Sequence, residues 1–102
     1  NHAPLVNVNG SNRNVKPGQM IRLDAKGTND PDGNHLNYNW WIYQDAGTCT
    51  DPVVIKKPGK QKTRLIVPST ARRGQTIHII CEVKDNGTPA LTSYQRVVLT
   101  IH

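Results

Sequence analysis

The richest set of hard oxygen donors lies in the segment Thr28-Asn29-Asp30-Pro31-Asp32-Gly33-Asn34. With Asp24 and Asp85 on neighbouring segments, Asn29, Asp30 and Asp32 offer the ligand type that Ca²⁺ takes in sets of about 6–8. No Glu closes the set at EF-hand spacing. The same residues also build a loop with no ion in it. Asp30 and Asn29 can accept hydrogen bonds from loop N–H groups in Asx turns, leaving Gly33 a positive φ. That role accounts for Asp-Pro-Asp-Gly by itself, so no cofactor is expected. Calcium at Asn29, Asp30, Asp32 and Asp85 is kept as the alternative.

The aromatics come next. Leu36, Tyr38, Trp40 and Ile42 alternate with Asn37, Asn39, Trp41 and Tyr43, the period of a half-buried strand. If Tyr38 and Trp40 face the core, Trp41 and Tyr43 face away from it. An exposed Trp and Tyr suit carbohydrate, whose C–H face lies on an aromatic ring while its hydroxyls seek polar side chains. Asn37, Asn39, Gln44, Gln95 and Arg96 supply such groups if their strands are neighbours. An aromatic patch equally suits docking against another domain.

Catalytic groupings are weak by comparison. His78 and Glu82 share a strand face, but four residues along a strand is about 13 Å, too far for a direct hydrogen bond. Asp45 and Asp51 flank a loop, yet nothing around them builds the cleft that a glycosidase carboxylate pair requires. No Gly-rich loop runs from a strand into a helix to cradle phosphate. An enzyme is not expected. The run Lys56-Lys57-Pro58-Gly59-Lys60-Gln61-Lys62-Thr63-Arg64 is the densest basic cluster. Its Pro-Gly centre reads as a turn, with the charges on a solvated hairpin tip. Without interleaved aromatics or a helix it does not argue for nucleic acid.

These groups must be positioned by a chain of 102 residues carrying 13 basic and 7 acidic side chains, with no Phe. That length is one domain spanning 1–102 with a single aliphatic core. No apolar run approaches the roughly 20 residues of a membrane span, so no membrane partner is expected. The chain opens Asn1-His2-Ala3-Pro4, without an initiator Met or a signal peptide, as a module cut from a larger protein would. Seven strands are expected: Leu5–Val8, Met20–Ala25, Leu36–Tyr43, Val53–Ile55, Thr63–Val67, Ile77–Lys84 and Tyr94–Ile101. Asn9-Gly10-Ser11-Asn12 and Lys16-Pro17-Gly18-Gln19 read as turns, and Pro68–Gly74 as a connection with room for one helical turn. The class is all-β, an antiparallel sandwich.

Leu23-Asp24-Ala25, Gly27-Thr28-Asn29-Asp30-Pro31-Asp32-Gly33 and Leu36-Asn37-Tyr38-Asn39-Trp40 together resemble PKD-type repeats, which are immunoglobulin-like β-sandwiches. Trp40-Trp41-Ile42-Tyr43, Asp45-Ala46-Gly47-Thr48, Ile77-His78-Ile79-Ile80 and the stretch from Asp85 to Val97 resemble a narrower family. That family is the C-terminal domain of secreted bacterial cellulose-binding proteins with an N-terminal nucleoside-hydrolase-like domain. The resemblance implies a secreted or periplasmic, non-catalytic module that recognises or positions polysaccharide such as cellulose. It equally allows a structural domain docked on the nucleoside-hydrolase-like domain. The family carries an aromatic where Cys49 stands and an aliphatic where Cys81 stands. These paired departures leave two readings open, a disulfide or two buried thiols.

Overall fold

The computed structural model describes residues 1–10 and 12–102. Its seven strands are β1 (Asn12–Val15), β2 (Met20–Asp24), β3 (Leu36–Ile42), β4 (Ile55–Lys56), β5 (Lys62–Ile66), β6 (Thr76–Asp85) and β7 (Thr92–Ile101). They form two sheets, one of four strands in the order β1-β7-β6-β3 and one of three in the order β2-β5-β4. All pairs are antiparallel except β1, which runs parallel to β7.

Alternation on the strands decides which side chains meet between the sheets. Ile21 and Leu23 of β2 and Thr63 and Leu65 of β5 turn inward from one sheet. Trp40, Ile77, Ile79, Cys81, Val83, Val97, Leu99 and Ile101 turn inward from the other, all at most 2% exposed. The result is a sandwich core of aliphatic side chains around one indole, as the absence of Phe requires.

Three expectations are corrected. Leu5–Val8 is not a strand. Leu5 forms an isolated bridge to Asn29, and Val8 contributes to the core by burial alone. The first strand is instead Asn12–Val15, which opens at the end of the expected turn (Ser11 of that turn lies outside the described residues). Pairing with β7 selects that segment, although three of its four side chains are polar. The sheet is therefore mixed and not purely antiparallel. Pro68–Gly74 holds no helical turn but two successive tight turns, closed by Ala71 N–H to Pro68 O and Gln75 N–H to Arg72 O.

The charges of the basic hairpin are exposed, as expected. β4 and β5 pair through Ile55↔Leu65 and Lys56↔Arg64, but the turn between them is fastened to the opposite sheet. The backbone N–H of Trp40 donates to Pro58 O at 2.8 Å. The indole Nε1–H of Trp40 donates to Lys60 O at 2.7 Å. A buried indole N–H needs such a partner, and here the need ties the turn to the core.

Candidate carbohydrate-facing surface

Trp40 is buried at 2% exposure and Tyr38 packs against the core, so Trp41 and Tyr43 stand on the outer face of the four-stranded sheet. Trp41 lies opposite Ile80, which lies opposite Arg96 on the next strand. Ile80 is only 6% exposed although it faces outward, because Trp41 and Arg96 flank it. The Trp41 and Tyr43 ring centroids are 5.7 Å apart with planes tilted by 50°. The Arg96 guanidinium lies 5.6 Å from the centre of the Tyr43 ring, within cation–π range. The two rings are not coplanar.

Polar groups complete this face. Asn39 lies opposite Glu82 and Asn37 opposite Lys84, and both asparagines are exposed. Tyr94, opposite Glu82 on the other side, is 60% exposed. No sequence argument singled out Tyr94, yet the two-residue period that places Arg96 outward places it there too. Gln95 is corrected. It falls on the inward-facing set of β7, and its Oε1 accepts from Val8 N–H at 3.1 Å. Gln95 holds the N-terminal segment and does not reach the aromatic face.

His78 sits on the same outer face, where its carbonyl accepts from Tyr43 N–H at 2.8 Å. The loop after β3 folds over it, so close that a Cβ on Gly47 would lie 2.9 Å from Thr76 O and 3.7 Å from the His78 ring. Nδ1 of His78 is buried without a hydrogen-bond partner. Burial first, and the positive charge of Arg96 second, hold the imidazole below its ordinary pKa. Asp51, the other half of the imagined carboxylate pair, accepts from Thr70 Oγ1 at 2.8 Å.

The acidic loop is built from its own hydrogen bonds. Asp30 Oδ2 accepts from Asp32 N–H at 3.1 Å and from Asn34 N–H at 2.7 Å. Gly33 takes φ 72°, as the Asx-turn reading expects. Asn29 instead exchanges backbone hydrogen bonds with Leu5. Asp32 accepts from His2 N–H and its ring, and Asp24 from Lys26 N–H. Asp85 is 2% exposed and accepts from Leu91 N–H, Gly87 N–H and the Asn1 amide. Those bonds, Leu91 foremost, hold its carboxyl below the ordinary range against the opposing effect of burial. The loop thus gives Asn29, Asp30, Asp32 and Asp85 different partners. Among the described residues no three His, Cys, Asp or Glu side chains gather as a metal-ion group.

Cys49 and Cys81 are free and buried, in keeping with the reading of two buried thiols. Cys49 N–H bonds to Thr76 O at the start of β6, whereas Cys81 is five residues farther along that strand, about 17 Å away. A disulfide needs Cα atoms roughly 4.4–6.8 Å apart. Burial pushes the Cys81 thiol up to about 12.

The basic run joins a second surface through Arg22, which sequence reasoning did not connect to it. On the outer face of the three-stranded sheet, Arg22, Asp24, Lys56, Lys57, Lys62 and Arg64 line a depression of about 340 Å³. Toward the Met20 end of β2, the same face is apolar, with Met20 45%, Val54 65% and Ile66 59% exposed.

The family model described as cellulose-binding protein Sde0182, C-terminal domain, matches residues 20–101. Among solved structures, a nucleoside hydrolase-related hypothetical protein from Saccharophagus degradans, associated with carbohydrate metabolism, is 36% identical with a TM-score of 0.95. The match covers 100% of this chain and 26% of that one, so the chain spans only part of that protein's length. No curated protein sequence matches.

Proposed function

The chain belongs to the family of Sde0182 cellulose-binding protein C-terminal domains, and from that premise we propose a non-catalytic module that recognises polysaccharide. The observation that carries this reading is the outward cluster of Trp41, Tyr43 and Arg96. Sugar C–H faces stack on the two rings. Asn37, Asn39 and Glu82 on the same face bond hydroxyls. Arg96 stacked on Tyr43 and Ile80 beneath the row fix the rings before ligand arrives, which lowers the ordering cost of binding. Rings tilted by 50° cannot both lie flat on a crystal face, so they suit a single twisted chain better than crystalline cellulose.

The fold reads best as immunoglobulin-like of the PKD type. Its support is the placement of the second, fourth and fifth strands in one sheet and the others in the second, with the Asp-Pro-Asp-Gly loop entering β3. Polysaccharide recognition places the module in a secreted or periplasmic protein. Retention on amorphous cellulose, compared with microcrystalline cellulose, tests the proposal. The wild type is expected to be retained on the amorphous form, and Trp41→Ala/Tyr43→Ala to flow through. Equal flow-through of both proteins on both polymers removes cellulose as the ligand.

A second reading, docking on the nucleoside-hydrolase-related part of a longer chain, is favoured by a different observation. Met20, Val54 and Ile66 form an exposed apolar patch on the sheet opposite the aromatic cluster, so docking there leaves Trp41 and Tyr43 free.

A further inference from the structure

The depression on the outer face of the three-stranded sheet is built against its own electrostatics. Arg22 of β2 lies directly opposite Arg64 of β5, and Arg64 directly opposite Lys56 of β4. Like charges directly opposite one another on a sheet destabilise it. Lys62 and Lys57 add two more cations, so five face one carboxylate, Asp24. No Lys or Arg among the described residues is ion-paired; the one pair is His2 with Asp32. Asp24 lies opposite Lys62, whereas Arg22, Arg64 and Lys56 face only one another across the strands.

Position argues further. Lys57 stands at φ 54°, a backbone region that non-glycine residues seldom occupy. The turn that carries it is held to the core through Trp40 N–H to Pro58 O and Trp40 Nε1–H to Lys60 O. Thr63 Oγ1 donates to Lys56 O and ties the two strands beneath the basic rows. Five cations are thus held on a fixed frame around a concave surface.

We propose that this depression binds an anionic polysaccharide, a polymer of sugar rings bearing carboxylates. The shape of the lining selects the polymer. No aromatic side chain lines it, and proteins that hold single-stranded nucleic acid rely on aromatic stacking for much of their affinity. Asp24, whose Oδ1 accepts from Lys26 N–H, stands among the basic residues as an acceptor for a sugar hydroxyl, a donor that sugar rings present in number. The carboxylates of a uronate chain meet Arg22 and Arg64, and its hydroxyls meet Asp24. This site lies on the opposite sheet from Trp41 and Tyr43 and does not rest on the reading proposed for them.

The test is binding of the chain to soluble polygalacturonate by titration calorimetry at several salt concentrations, with oligo(dT) of equal charge as comparator. Counterion release gives a slope of about −0.7 per charge for a single-stranded polyanion, so four engaged cations predict a several-hundredfold weakening for a tenfold rise in salt. Arg22→Gln/Arg64→Gln removes two of the charges and is expected to weaken binding at low salt by at least tenfold, with a shallower slope. It should leave retention on amorphous cellulose unchanged, whereas Trp41→Ala/Tyr43→Ala should leave polygalacturonate binding unchanged. A thermal melt confirms that each variant is folded. No binding at low salt, equal binding by the Arg22/Arg64 variant, or tighter binding of oligo(dT) each overturns the proposal.

Discussion

Replacing Trp40 with Phe separates two things this side chain does, filling the core and holding the basic turn. The substitution removes the Nε1–H bond to Lys60 O, made at 2.7 Å. A lost hydrogen bond of this kind costs about 1–1.5 kcal/mol, and more when the abandoned carbonyl cannot reach water. The smaller ring leaves a void in the core that adds roughly 1 kcal/mol. The sum is about 2–4 kcal/mol. For a domain near 100 residues each kcal/mol lowers the melting temperature by about 4–8 °C, so Trp40→Phe is expected to melt roughly 10–25 °C below wild type. Trp41→Phe is the control, since its indole makes no hydrogen bond among the described residues and is only partly buried; its loss should stay below about 1 kcal/mol. Circular dichroism melts of the three proteins under one buffer decide the matter. If Trp40→Phe melts within about 3 °C of wild type, the turn is not held by the indole and the fixed frame argued for the basic residues collapses.

Arg64→Gln relieves the row of like charges and is expected to raise the melting temperature by a few degrees at low ionic strength, from about 0.2–1 kcal/mol. The gain should shrink in 0.5 M salt. Native protein should show no thiol reactive toward a disulfide reagent, because Cys49 and the raised-pKa Cys81 are buried, and two after denaturation; none after denaturation reveals a disulfide. Asp85 has a folded pKa below its unfolded value, so its contribution is full above the unfolded carboxylate range, near 4, and is lost as pH falls through that window. Asp85→Asn should therefore be less stable than wild type at pH 7, with the gap narrowing toward pH 3. The His78 imidazole, lowered by burial and Arg96, favours folding above about pH 6.5 and less so below it; NMR titration should place its midpoint below 6.5, and Arg96→Ala should raise it.

β3 was legible because one strand face repeats Leu36, Tyr38, Trp40 and Ile42 without interruption, and its hydrophobic period of two decides where Trp41 and Tyr43 point. β1 was not, because Asn12-Arg13-Asn14-Val15 carries no such period and owes its conformation to β7, far away in sequence. Gln95 was misplaced for a related reason. Its direction follows from the buried set Val97, Leu99 and Ile101, which a nearby polar residue does not advertise. The basic depression was half visible. The run from Lys56 to Arg64 is plain, but Arg22 joins it only through cross-strand register, and the anchoring of the turn depends on an indole N–H that no charge pattern reveals.

The parallel pairing of β1 with β7 has a consequence for synthesis. Asn12 meets Val98 and Val15 meets Ile101, so the earliest strand waits for the last one. β7 also lies between β1 and β6, which means β1 cannot join the β3–β6 pair until β7 has been synthesised. At roughly 5–20 residues per second, β1 stays unpaired for on the order of ten seconds, and the nascent chain depends on its polar composition to remain unattached during that interval.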